Sequence, residues 1–226
     1  VPLAKLLSPH FTAYAYDRRS RGASATTRPY SVEAEIADLR ALADVAGGSA
    51  ALFGMSSGCA LVIAAAAAGL PATRIALYDP PFTTDAEAAG RAKAYHARLQ
   101  QLIDAGDREG ALALFLTTIG MPPQMIDGMR QGPAWQPLSA LAPTLLHDSA
   151  VLDNQNGGSV PKDRIARIAA PILVMSGELA PPALRKSSEA VAAAARRGSH
   201  RILPGQTHDV AVGALAPVLI GYFAAR

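Results

Sequence analysis

Ala50-Ala51-Leu52-Phe53-Gly54-Met55-Ser56-Ser57-Gly58-Cys59-Ala60 runs from a short apolar stretch, through a serine set between two glycines, into an alanine-rich segment that continues to Ala68. The five residues 54–58 fit the pattern G-x-S-x-G. The bare pattern recurs by chance; its setting between a strand and a helix is what carries meaning. A serine there occupies a sharp, strained turn, and small flanking residues let the backbone double back without a clash. The turn thrusts the Ser56 hydroxyl out at the end of a strand, with the positive end of the next helix beside it. Ser56 is therefore the candidate nucleophile, and the backbone N–H of Ser57 is a candidate oxyanion-hole donor.

The segments on either side support a layered architecture. Upstream, residues 11–16 form a β-type run ending at Asp17, followed by a polar loop through Pro29. Ser31 can cap a helix in which Val32, Ile36, Leu39, Leu42 and Val45 repeat at helical spacing until Gly47-Gly48. Downstream, Gly69-Leu70-Pro71 stops the alanine-rich helix, and residues 74–78 read as a strand broken by Asp79-Pro80-Pro81. Strand, helix, strand, helix, strand demands a mainly parallel sheet with helices on both faces, an α/β fold. The pattern resumes with strands at 172–175 and 201–203 and helices at 182–196 and 214–223. Between them, residues 82–167 show helical segments (85–103 and 109–119) and then a Pro-, Gly- and Met-containing stretch, with no evident strand. This reads as a helical lid or cap inserted into a core of residues 1–81 and 168–226.

A base acting on Ser56 must arrive at the same sheet edge, and in a parallel sheet all strand C-terminal ends share one edge. His208, in Pro204-Gly205-Gln206-Thr207-His208 directly after the last strand, meets that condition. His10 precedes the first run, His96 falls inside a lid helix and His200 leads into a strand. His147 lies in the lid, where it could touch substrate.

Bulk properties narrow the classes. The 226 residues are 50% hydrophobic, enough for one sizeable core, and the formal net charge of +3 comes from interspersed charges. Arg18, Arg19 and Arg21 form the one basic cluster, read as a solvated turn rather than a nucleic-acid footprint. The single cysteine, Cys59, excludes an internal disulfide and a cysteine-rich metal site. The longest apolar run, residues 60–70, falls short of the ~20 residues that span a bilayer. The expected partner is a small-molecule substrate, with no nucleic acid, membrane, cofactor or metal. A cytoplasmic location is expected, and homo-oligomerisation is left open.

Residues 54–58, the strand and loop at 14–22, and residues 204–208 together resemble the α/β-hydrolase superfamily, in particular its small lidded esterase, lactonase and haloperoxidase-like members. The resemblance implies that fold and a Ser56–His208 pair completed by an acid. The family usually places the acid near the fourth residue of Gly177-Glu178-Leu179-Ala180, where this chain has Ala180. A smaller group of relatives carries it after the strand that follows the nucleophile helix, the place of Asp79. Glu178 is the alternative acid, and Asp148 or Asp153 would serve if the lid folds inward. Family members normally open with further strands and a glycine-containing loop that gives a second oxyanion donor; this sequence begins after that loop, so an upstream segment is expected. Met55, Phe115 and Trp135, with Met121 and Met125, could line an apolar acyl pocket, packing in the helix core being the alternative for each. Cys59 is expected to pack rather than react.

Three functions remain in view. The first is hydrolysis of a small or medium hydrophobic ester or lactone through an acyl-enzyme. The second keeps the fold for a cofactor-free haloperoxidase or perhydrolase, a lyase or a natural-product cyclase. The third is a hydrolase-shaped ligand binder without turnover.

Overall fold

The computed structural model describes residues 2–24 and 29–225. The chain divides into two compact units, one of Val1–Asp17, Val32–Thr84 and Val160–Arg226, the other of Arg18–Ser31 and Asp85–Ser159. In chain order the elements are α1 (Pro2–Leu7), α2 (Val32–Val45), β1 (Ala50–Met55), α3 (Ser57–Ala67) and β2 (Ala72–Tyr78). The helical unit follows with α4 (Ala86–Asp104), α5 (Arg108–Thr118), α6 (Pro123–Arg130), α7 (Trp135–Ala140) and α8 (Leu145–Val151). The chain then returns through α9 (Lys162–Ile165), β3 (Ile172–Gly177), α10 (Pro182–Ala194), β4 (Gly198–Leu203) and α11 (Val212–Ala224).

The four strands are parallel and lie in the order β1-β2-β3-β4. Met55 pairs with Tyr78, Tyr78 with Met175, and Gly177 with Leu203, so all four C-terminal ends share one edge. Side chains alternate across the sheet. Ala76, Tyr78, Leu173 and Met175 point to one face and pack with Leu215 and Leu219 of α11 and, more loosely, Leu3 and Leu7 of α1. The alternate residues Ile75, Leu77, Ile172 and Val174, all fully buried, face the other side, where α3 and α10 contact the strands.

Helix α3 is apolar on every side because it is buried on every side, from Cys59 to Ala65. Its alanines allow a close approach: Ala65 packs with Ala43 of α2 and Leu70, flanked by Ile36, Leu39 and Leu52.

The run at residues 11–16 departs from expectation. It belongs to no ladder, and Tyr14 and Tyr16 are exposed. A β-prone run becomes a strand only when a neighbour takes up its N–H and C=O groups. Among the described residues β1 pairs with β2 alone, so its outer edge is open and residues 11–16 lie elsewhere. The polar loop expected through Pro29 lies partly outside the described residues.

The helical unit has its own core of Leu99, Leu102, Ala111, Leu112, Leu116, Ile126, Trp135 and Ala142. Asp85 caps α4 by accepting from the Ala88 N–H at 2.8 Å, and Asp107 caps α5 by accepting from the Gly110 N–H at 2.8 Å. The Pro-, Gly- and Met-containing stretch resolves into short helices, α6 opening on Pro123, where a missing N–H costs nothing. Among the described residues no strand occurs between Tyr78 and Ile172. The expected insertion, 82–167, contains the longer of this unit's two segments, Asp85–Ser159, but not Arg18–Ser31. Its flanks stay with the sheet: the Phe82 N–H donates to Ser187 Oγ at 3.2 Å, and Ile165 is fully buried.

The basic cluster is not a solvated turn. Arg18 Nη1 lies 2.7 Å from Asp148 Oδ1, and Arg21 Nη2 lies 2.6 Å from Asp148 Oδ2. Arg21 also donates from Nε to Thr144 Oγ1 and from Nη2 to the Thr144 carbonyl, both at 3.1 Å. The arginine side chains are 14% and 29% exposed, so this is a half-buried clasp, and it makes residues 18–24 part of the helical unit.

Candidate active site

The turn after β1 is strained at one residue. Ser56 has φ 54° and ψ −129°, a conformation that costs about 1–3 kcal/mol outside glycine and persists only where its surroundings enforce it. Its N–H donates to the Tyr78 carbonyl at 3.0 Å, which ties the turn to the end of β2. The two glycines of the motif play unequal parts. A Cβ on Gly54 would lie 2.6 Å from the Gly58 carbonyl oxygen and 2.9 Å from the Cys59 Cα, both backbone, whereas a Cβ on Gly58 would meet nothing within 4 Å. Gly54 is thus the residue that permits α3 to leave so steeply. Ser57 opens α3, so its amide lies at the positive end of that helix.

Asp79, the next residue after Tyr78, is fully buried and has φ 48°, a left-handed conformation that Asp and Asn adopt more readily than other side chains. Its Oδ2 lies 3.2 Å from His208 Nδ1. A hydrogen bond at Nδ1 fixes the tautomer that leaves Nε2 as the basic nitrogen. Two consecutive residues therefore serve both partners: the Tyr78 carbonyl holds the Ser56 backbone, and the Asp79 carboxylate holds the His208 ring. Among the described residues no hydrogen bond joins Ser56 Oγ to His208. Catalytic hydrogen bonds of this kind are often completed only with substrate in place. Asp79 Oδ1 is buried with no hydrogen-bond partner.

The loop that carries His208 is held by backbone contacts. Tyr78 Oη donates to the Thr207 carbonyl, and burial raises the Tyr78 pKa well above the usual phenol range, so the hydroxyl keeps its proton. Glu178, the alternative acid, does not reach the imidazole; its Oε2 accepts from the Gly205 N–H at 2.7 Å. Ala180, at the usual place of the acid, is buried. Gly177 makes room for the loop: a Cβ there would lie 2.7 Å from Tyr78 Oη and 2.8 Å from the Gln206 carbonyl carbon.

The remaining candidates have other partners. Asp148 is engaged by Arg18 and Arg21, and Asp153 Oδ1 accepts from Asn156 Nδ2 at 2.8 Å. His96 Nδ1 lies 2.9 Å from Ser149 Oγ, and His147 stacks on Tyr30 with ring centroids 3.8 Å apart. His200 Nε2 lies 2.8 Å from Ser176 Oγ, and burial lowers its pKa against the opposing pull of Glu189 and Asp79. Met55 packs against the α11-side cluster, while Phe115 and Trp135 come together in the helical unit's core, with Arg130 over the Trp135 ring at 4.7 Å. Cys59 is fully buried, its Sγ 3.2 Å from the Gly54 carbonyl, and burial drives its pKa far above the range of reactive thiols.

Sequence reasoning missed Tyr78 and Gly177. Tyr78 carried a usable signal, since a tyrosine that directly follows the apolar run Ile75-Ala76-Leu77 needs a partner for its hydroxyl. Among the described residues no cluster of three His, Cys, Asp or Glu is placed to hold a metal, and no helix is long and apolar enough to cross a membrane.

Comparison with known proteins follows the same line. The profile of the Alpha/beta hydrolase family matches residues 1–218. An alpha/beta hydrolase from Sphaerobacter thermophilus is 42% identical and superposes with a TM-score of 0.86, covering 99% of this chain and 86% of its own. A hydrolase from Pseudomonas aeruginosa is 22% identical, with TM-score 0.70 and coverage of 98% and 83%. A thermophilic esterase from Thermogutta terrifontis is 19% identical, with TM-score 0.57 and coverage of 92% and 76%. The last two likenesses are of fold alone. No curated protein sequence matches the chain.

Proposed function

The chain belongs to the alpha/beta hydrolase family, and from that premise we propose that it cleaves a small or medium hydrophobic carboxylic ester or lactone through an acyl-Ser56 intermediate. In this reading His208 Nε2 takes the proton from Ser56 Oγ as the oxygen attacks the substrate carbonyl carbon. The Asp79 carboxylate, at Nδ1, stabilises the imidazolium that forms. The Ser57 N–H, at the positive end of α3, faces the developing oxyanion. Imidazolium returns its proton to the leaving alkoxide oxygen as the carbon–oxygen bond breaks. Water deprotonated by His208 then attacks the acyl-serine and releases the acid.

One observation carries the proposal. The Tyr78-Asp79 pair binds the Ser56 amide through one residue and the His208 ring through the next, so Ser56 and His208 are both tied to the end of β2. A fluorophosphonate probe tests it directly. The parent protein should be labelled and should hydrolyse p-nitrophenyl esters, and Ser56→Ala should do neither. Equal labelling of parent and variant would place the nucleophile elsewhere.

A further inference from the structure

We infer that Glu178 is a positioning residue for His208, acting through the backbone of the 204–208 loop and not on the imidazole. The inference rests on the serine-hydrolase reading above and adds to it the part played by the carboxylate nearest the family's usual acid position.

The argument starts from how little holds His208 by its own side chain. The ring is 38% exposed and makes one hydrogen bond, to Asp79. Its placement therefore depends on the backbone that delivers it. Three successive residues before it are pinned to the ends of β2 and β3. The Gly205 N–H donates to Glu178 Oε2 at 2.7 Å, the Gln206 carbonyl accepts from the Leu179 N–H at 2.8 Å, and the Thr207 carbonyl accepts from Tyr78 Oη. Glu178 also joins β4 through its own backbone, its N–H donating to the Leu203 carbonyl at 3.0 Å. Beyond His208, Gln206 Oε1 accepts from the Ala211 N–H at 3.0 Å and closes the loop on itself.

Of the pins to the strand ends, those of Glu178, directly after β3, and Tyr78, the last residue of β2, come from side chains. The Glu178 pin is charge-assisted and lies at an exposed position. It also fixes the point where the loop turns: Gly205 has φ 66°, so its amide is swung to an angle that a right-handed residue would not present. Releasing that amide frees the turn and lets the imidazole drift, and misplacement of a catalytic group by an ångström costs up to about 10²-fold in rate.

The test compares Glu178→Ala with Glu178→Gln, with Asp79→Asn and Ser56→Ala as references, on a p-nitrophenyl ester. Glutamine keeps an oxygen that can accept from Gly205, so E178Q should stay within about threefold of the parent. E178A should lose about tenfold in kcat with little change in KM, and its fluorophosphonate labelling rate should fall in step. The pH dependence of kcat/KM should keep its shape in both variants, since no titrating catalytic group has been removed. Should E178A fail to fold, Glu178→Asp carries the same expectation, because it keeps the charge and shortens the reach. An unchanged kcat in E178A overturns the inference. So does an E178Q as damaged as D79N, which would make the Glu178 charge itself the acid. Failure of the underlying reading looks different: S56A would keep its activity, whatever the Glu178 variants do.

Discussion

Replacing Asp79 with asparagine removes one charge from the proposed site and little else. Asparagine has nearly the same volume and tolerates the left-handed φ of 48° at this position, so the backbone should hold where alanine would add strain. The loss can be worked from the geometry. A carboxylate 3.2 Å from a cationic imidazole, at an effective dielectric of about 20, interacts by about 5 kcal/mol. The His208 side chain is 38% exposed, and solvent screening reduces this to about 3–4 kcal/mol. The attraction counts in full only once the ring is charged, so it lowers the transition state more than the ground state. At 1.36 kcal/mol per decade the expected fall in kcat is about 10²–10³. An asparagine that turns its amide nitrogen toward Nδ1 would enforce the wrong tautomer and carry the loss toward about 10⁴. The assay is steady-state p-nitrophenyl ester hydrolysis beside thermal melts of both proteins. A variant with the parent's melting temperature and a kcat within about threefold of it would refute the assignment of Asp79 as the orienting acid.

Three further outcomes are expected. Gly54→Ala should destabilise by about 2 kcal/mol or more in urea denaturation, since its Cβ would meet backbone 2.6 Å away, whereas Gly58→Ala should be close to neutral; equal effects would contradict the asymmetry of the turn. Asp148→Ala should cost about 1–3 kcal/mol by the same measurement, because it removes the carboxylate that lies 2.7 Å from Arg18 and 2.6 Å from Arg21 at half-buried positions, and an unchanged midpoint would show the clasp to be idle. His200 has its folded-state pKa lowered by burial, so between that value and the unfolded one near 6.5 the unfolded chain binds more protons and stability rises with pH. Its contribution should fade as pH drops below about 6.5, and a parent and His200→Gln with identical pH–stability profiles would refute it.

What could be read from the sequence was what local pattern decides. The elbow and the β1–α3–β2 order depend on neighbours a few positions away, and the structure follows them closely. In α2 the apolar spacing is followed in part: Ile36 and Leu39 pack beside Ala43, whereas Val45 is exposed and Glu35 is buried. Asp79 entered as a candidate acid through the resemblance to relatives that carry the acid after this strand, since Asp-Pro-Pro by itself reads as a strand-ending turn. The failures share a cause. Residues 11–16 have strand chemistry, but strand formation depends on a partner edge that no local pattern can supply. Arg18 and Arg21 looked like surface charge because their counter-charge lies more than 120 positions away. Glu178 looked like a carboxylate in search of an imidazole, and what set its role was the backbone amide of Gly205, which leaves no mark in a sequence.

The Arg18–Asp148–Arg21 clasp bears on any attempt to exchange modules among relatives of this enzyme. Its two arginines and its aspartate come from separate pieces of chain, yet they belong to one compact unit. A chimera that grafts residues 85–159 alone would carry Asp148 into the recipient and leave Arg18 and Arg21 in the donor, so the clasp would form in neither. Recombination that respects the protein's own joints has to carry residues 18–31 along with the larger fragment, as a pair of inserts.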